Sequence, residues 1–256
     1  MLLEGKNALI LGVANQASIA WAIAKAFSRE GANLAFAYQG ERLKENLIEL
    51  TGTLPHPSPV FQCDVTKDDE IQNLFSGVRH VFGRLDVLVH SIAFAPKNEL
   101  SGRISDTTRQ GFQTAQEVSA YSLLALAKGA EALMEGPGGS ILAMSYIGAV
   151  RVIPNYNLMG PVKASLEAEI RYLAYDLGPK NIRVNGISAG PVNTVAARGI
   201  SRFGTMLKHH AHAAPLRRNV GVDEIANTAV FLASTLSSGI TGEILYCDCG
   251  YHIMGM

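Results

Sequence analysis

The sequence is sparing with charge, cysteine and aromatic residues. Of 256 residues only 17% are charged, and 22 lysines and arginines balance 22 aspartates and glutamates. A formal net charge of zero argues against a global basic field for nucleic acid or anionic lipid. Three cysteines, Cys63, Cys247 and Cys249, do not make a disulfide framework, and an odd count suits a reducing compartment. Cys247-x-Cys249 is too closely spaced for a usual zinc site, and no second Cys/His cluster partners it, so no metal is expected. No run approaches the ~18 apolar residues of a membrane span. The first residues lack a basic stretch followed by an apolar one, which is not the pattern of a secretory signal. These absences lead to the expectation of a soluble cytoplasmic protein with neither nucleic acid nor membrane as partner. Two motifs are missing as well: G-x-G-x-x-G, and any tyrosine with a lysine four residues later.

What is present is apolar residue in quantity, 48% of the chain, enough for a sizeable core. It is distributed as short apolar runs alternating with helical patterns. Strands are expected at 8–11, 33–38, 60–63, 85–90, 140–144, 182–187 and 244–247. Residues 18–29 carry Ile19, Ile23, Ala26 and Phe27 on one helical face, and Gly31 closes that helix. Further helices are expected at 40–51, from Asp68 and Asp69 onward, over 112–134, over 158–177, and from an Asp223 cap to 233. Between 53 and 59 lie Pro55, Pro57 and Pro59, which demand a loop. This alternation gives a parallel sheet with helices on both faces, and continuous apolar strands suit a sheet covered on both sides. The expected architecture is α/β, a doubly wound Rossmann-type domain spanning 1–256, with a seven-stranded parallel sheet. Its ligands belong at the carboxyl ends of the strands.

At the first strand–helix junction Gly12 can make a tight turn. Small residues Ala14, Ala17, Ser18 and Ala20 let a pyrophosphate approach the backbone, and N–H groups near Ser18 and Ile19 can bind its oxygens. Gln39 ends the second strand where an acid would bind the ribose diol of NAD. Gln39 tolerates either a hydroxyl or a 2′-phosphate, and Arg42 follows it, so NADH and NADPH both stay open. Asp64, ending the third strand, is equally an adenine acceptor or a turn aspartate.

The segment 145–163 holds Tyr146, Tyr156 and Lys163. Tyr156 and Lys163 are seven apart, two helical turns, on nearly one face and ~10 Å apart along a regular axis. An ammonium near a phenol lowers its pKa and stabilises charge on a substrate oxygen. Pro161 is tolerated only in a first turn, which puts the helix start at 158–160 with Tyr156 just before it.

The motifs Gly12-x5-Ser18-Ile19-Ala20, Gln62-Cys63-Asp64-Val65, His90-Ser91-Ile92-Ala93-Phe94-Ala95-Pro96, Pro154-Asn155-Tyr156-Asn157 and Ser188-Ala189-Gly190-Pro191 make the chain resemble the short-chain dehydrogenase/reductases. Within them it resembles the enoyl-(acyl-carrier-protein) reductases of bacterial fatty-acid synthesis, whose mark is Tyr-x6-Lys with an extra tyrosine ten residues upstream. The resemblance covers almost the whole chain. It implies hydride transfer from NADH, with NADPH as the alternative, to a trans-2-enoyl thioester carried by acyl-carrier protein. It implies that Tyr156 hydrogen-bonds the thioester oxygen, that Lys163 holds the nicotinamide ribose, and that Tyr146 lines the same pocket as proton donor or positioner. It further implies cofactor contacts by Gly12, Ser18, Ile19, Gln39, Asp64, Val65, Ser91, Ile92, Ala93, Pro191, Val192, Thr194 and Ala196, substrate contacts by Ala95, Tyr146 and Tyr156, and a homotetramer with 250–256 at an interface.

The segment 193–212, with Val195, Ile200, Phe203, Met206 and Leu207 at helical spacing, reads as a lid over an acyl tail or as ordinary core. Lys208, Arg217 and Arg218 suit an acidic carrier or plain surface charge. Two residues depart from the family pattern. Ala93 replaces a frequent glycine, and Pro161 replaces a residue with an N–H. The alternatives kept are carbonyl–alcohol interconversion on the same fold, against which the missing Tyr-x3-Lys counts, and a catalytically silent nucleotide-binding protein.

Overall fold

The computed structural model describes residues 1–194, 197 and 202–255. Strands β1 (Asn7–Leu11), β2 (Asn33–Tyr38), β3 (Val60–Gln62), β4 (Val87–His90), β5 (Gly139–Ser145), β6 (Ile182–Ala189) and β7 (Ile244–Cys247) form one sheet in the order β3-β2-β1-β4-β5-β6-β7. All pairings are parallel. The expected doubly wound architecture is therefore present, with its order reversing between β1 and β4.

The strand sequences explain the layering. Successive side chains point to opposite faces, so Leu9 and Leu11 of β1 enter one apolar cluster while Ala8 and Ile10 enter the other. The first cluster is closed by α3 (Asp68–Phe82), α5 (Ser122–Met134) and α6 (Met159–Leu177). The second is closed by α1 (Ile19–Arg29), α2 (Glu41–Thr51) and α8 (Val222–Ala233). In α1 the residues Ala20, Trp21, Ile23, Ala24 and Phe27 are buried, the i, i+3, i+4, i+7 stripe that packs a helix on a sheet. Gly31, at φ +87°, ends that helix as expected.

Two expected elements differ. The helix foreseen over 112–134 is α4 (Arg109–Gln116), a π-turn (Glu117–Tyr121) and α5. Periodicity cannot register the one-residue slip of a π-turn, because the apolar face is recovered on its far side. Asp223 does not cap α8. Gly221 is the N-cap, and Glu224 accepts from its N–H at 2.9 Å. Helix α7 (Phe203–Ala213) lies inside the expected lid segment 193–212. Val195, Ala196 and Ile200 lie outside the described residues.

Candidate active site

Two adjoining cavities open at the carboxyl edge of the sheet. The first, of about 420 Å³, runs over the ends of β1, β2 and β4 and is bounded by Gly12, Ser18, Ile19, Gln39, Val65, Ser91, Ile92, Ala93, Tyr146, Tyr156, Lys163 and Thr194. The second, of about 340 Å³, is bounded by Ile19, Ala93, Ala95, Tyr146, Tyr156, Pro191, Val192 and Thr194, with Phe94, Leu100, Phe203 and Met206 adding apolar surface and Lys97 a cation. Of the described residues for which the resemblance implies a cofactor or substrate contact, Asp64 alone lies outside both walls. Tyr146 and Tyr156 belong to both cavities, so the chemical residues stand at their junction.

The first cavity is shaped to admit a dinucleotide backbone. Gly12 has φ +100°, and a Cβ there would lie 2.0 Å from the Ser91 carbonyl oxygen. Only glycine lets β1 turn so closely past β4. The next turn is held by Ser18, whose hydroxyl accepts from the Ala14 and Asn15 N–H groups at 3.1 Å each. The Ser18 N–H itself is spent on the Asn15 carbonyl at 3.0 Å. The donors expected near Ser18 and Ile19 are thus one residue further on: the Ile19 and Ala20 N–H groups find no backbone acceptor among the described residues. A helix start with free N–H groups favours an anion.

At the far end Gln39 Nε2 donates to Asp64 Oδ2 at 3.3 Å. Asp64 Oδ1 accepts from both the N–H and the hydroxyl of Thr66, at 3.1 and 2.8 Å. Burial pushes the Asp64 carboxyl up, but the bonds from Thr66 and Gln39 outweigh it and hold the group below its usual value. Asp64 thus ties its own turn to the end of β2.

At the chemical end the Tyr146 and Tyr156 rings meet edge to face, 4.9 Å between centroids. Tyr156 precedes α6 in a strained turn, between Asn155 at φ +65° and Asn157 at φ +39°. Asn157 Nδ2 fixes that turn by donating to the Gly102 carbonyl at 3.0 Å. Helix α6 starts within the expected 158–160, and Pro161 is its third residue, where a missing N–H costs no intrahelical bond. Lys163 is 4% exposed and donates from Nζ to the Met144 carbonyl at 2.7 Å. Burial drives its pKa down from 10.5 to about 8, with Glu167 opposing the fall. The Tyr156 phenol is pushed up, not down, by burial first and then by Tyr146 and Glu167. This reverses the expected lowering by lysine, because desolvation of the phenolate dominates. Tyr156 is therefore a neutral donor at ordinary pH. Tyr146 is likewise raised by burial, and its hydroxyl lies 3.3 Å from Met206 Sδ of α7.

Sequence reasoning passed over Val118, Ser119 and Glu167. Glu167 had a signal: a charge on the apolar stripe Val162, Leu166, Ile170 of α6. Arg218, considered for an acidic partner, is instead held by Glu224 through two bonds of 2.7 Å, and Arg217 donates to the His212 carbonyl.

A doubly wound sheet, a phosphate-sized helix start at its switch point and a buried lysine beside two tyrosines define a dinucleotide-binding oxidoreductase of the short-chain type. The chain belongs to the enoyl-(acyl carrier protein) reductase family, whose pattern matches residues 12–252. It is 54% identical to the enoyl-(acyl-carrier-protein) reductase (NADH) of Neisseria meningitidis, over 98% of this chain and 96% of that one. It is 49% identical to the enzyme of the same name from Bacillus subtilis, over 98% and 97%. The Bacillus cereus enoyl-acyl carrier protein reductase, solved with NADP+ and an indole naphthyridinone, superposes with TM-score 0.98 at 48% identity, covering 100% of this chain and 99% of that one. A reductase of Anaplasma phagocytophilum, solved with NAD, gives 0.96 at 46%, covering 100% and 97%.

Proposed function

We propose that Tyr156 and Lys163 are the polarising pair of the reaction this protein catalyses, the reduction of the 2,3 double bond of a trans-2-enoyl-(acyl-carrier-protein) thioester with NADH in fatty-acid elongation. The observation that supports this reading is that Tyr156 borders both the phosphate-admitting cavity and the adjoining apolar one, while Lys163 borders the first. NADH, when bound, supplies the hydride for the β-carbon. It fits the first cavity, whose Gly12 turn and free Ile19 and Ala20 N–H groups suit its pyrophosphate. Gln39 faces its adenosine ribose, and Ser91, Ile92 and Ala93 line its middle. Asp64 stays in this role indirectly, by orienting Gln39.

The Tyr156 hydroxyl donates to the thioester oxygen as negative charge develops there, in the manner of an oxyanion hole. The Lys163 ammonium, one proton held by Met144, offers the others to ribose hydroxyls and adds positive potential. Tyr146 packs against Tyr156 and fixes its ring. Ala95, Pro191, Val192 and Thr194, with Ala196 beyond the described residues, close on the nicotinamide and substrate. The second cavity takes the acyl chain, and α7 forms its movable wall. The acyl-carrier protein docks at its mouth, beside Lys97. The protein works in the cytoplasm as a homotetramer.

The test follows NADH or NADPH absorbance with crotonyl thioester, beside a β-ketoacyl control. Oxidation with the enoyl substrate alone is expected. Oxidation with only the keto substrate would replace this reading with carbonyl reduction.

A further inference from the structure

Helix α6 carries two buried charges one turn apart. Lys163 and Glu167 are 4% and 5% exposed, and residues at i and i+4 lie side by side, about 6 Å between Cβ atoms. Both side chains grip β5 at consecutive residues. The Lys163 ammonium donates to the Met144 carbonyl at 2.7 Å, and the Ser145 hydroxyl donates to Glu167 Oε1 at 2.5 Å. Burial pushes the Glu167 carboxyl up, while the Ser145 bond and the charges of Arg171 and Lys163 on its own helix pull it down. Around this pair stand Tyr156 and, from β7, Tyr246, while His90 of β4 faces Lys163. Burial holds these last three in their neutral forms at ordinary pH. Apolar residues occupy the rest of this stripe, and a leucine would fill position 167 with no desolvation cost.

We propose that Glu167 is a positioning residue for Lys163: anchored to Ser145, its carboxylate is the counter-charge that keeps the buried ammonium protonated and aimed into the cofactor cavity. The proposal rests on the reading that Lys163 binds the cofactor ribose as a cation. It accounts for a lysine that is fully enclosed yet keeps its proton to about 8. It also accounts for the tether. Ser145 fixes the carboxylate to the same strand end that receives Lys163, so the distance between the charges cannot drift.

The experiment measures NADH affinity by fluorescence against pH for the full chain and its variants, across the window around the Lys163 midpoint. The wild type should lose affinity as pH rises through about 8. Glu167→Gln keeps an acceptor for Ser145 but removes the charge, and its midpoint should fall by about one unit. Glu167→Asp keeps the charge and should stay near the wild type. Ser145→Ala, which frees the carboxylate, should shift in the same direction as Glu167→Gln. A midpoint unchanged in both Glu167→Gln and Ser145→Ala, with only a lower Tm, would overturn the proposal and leave Glu167 a structural tether. Lys163→Met separates the two levels: wild-type affinity with a wild-type pH profile would remove the cofactor role of Lys163 itself.

Discussion

The chemistry turns on a few side chains whose environments pull them away from their solution behaviour. Tyr156 is enclosed and its phenol is held neutral by desolvation, so in the proposed reaction it would act by donating a hydrogen bond. Tyr156→Phe keeps the ring against Tyr146 and removes only that donor. Turnover with enoyl thioester should fall about a hundredfold, as for loss of one oxyanion-hole donor, while the Kd for NADH stays within a factor of two or so, measured by fluorescence. Gly12 acts through what it lacks. An alanine there would bring Cβ to 2.0 Å from the Ser91 carbonyl oxygen, at φ +100°. Gly12→Ala should therefore lower stability by about 2–4 kcal/mol in denaturant unfolding and abolish NADH binding, because β1 and the 91–93 segment must part.

At the scale of elements, the π-turn does what a regular helix could not. Its extra residue turns Ser119 and Ser122 toward the chain leaving β4. The Ser119 hydroxyl accepts from the Phe94 N–H at 2.8 Å and donates to the Phe94 carbonyl at 2.9 Å. Ser122 meets His90 Nε2 at 2.8 Å and donates to Val118. The segment 91–95, which lines both cavities, is thereby stapled to one helix. Ser119→Ala leaves two Phe94 backbone groups unpaired and should cost about 1–3 kcal/mol. Kinetics should show a raised KM for the enoyl thioester, since the substrate-facing backbone loosens, with a smaller change in NADH affinity. Helix α7 is held more lightly: of its described residues only His210 is buried, which suits a wall that moves to admit an acyl chain.

The whole molecule carries a pH limit in its sheet. His90 ends β4 fully enclosed, and burial first, then the Lys163 charge, lowers its pKa from 6.5 to about 3. In the unfolded chain it takes a proton near 6.5, so between 6.5 and about 3 the unfolded state binds more protons and stability falls as pH falls. Unfolding of the wild type against pH should show this acid loss. His90→Asn should flatten it by about 1.4 kcal/mol per pH unit across the window. At the opposite edge β7 and the residues after it are pinned by Asp248, which accepts from the Gly250 and His252 N–H groups at 2.9 Å each. Ile253 remains 66% exposed there.

The strands, the crossover helices and the Pro161-limited start of α6 were legible from the sequence, because hydrophobic period, glycine and proline act locally and their effects do not depend on distant residues. Tyr146, Tyr156 and Lys163 were legible as a spacing. What they do there was not. The neutral state of Tyr156, the depressed lysine, the Glu167–Ser145 tether and the Gln39–Asp64 bond arise from burial and from partners 19 to 25 residues away. The π-turn escaped for a related reason: its benefit is a tertiary bond to β4, paired against a local distortion that no periodicity records. Desolvation and long-range hydrogen bonding are properties of the packed chain, and only the tertiary structure decides them.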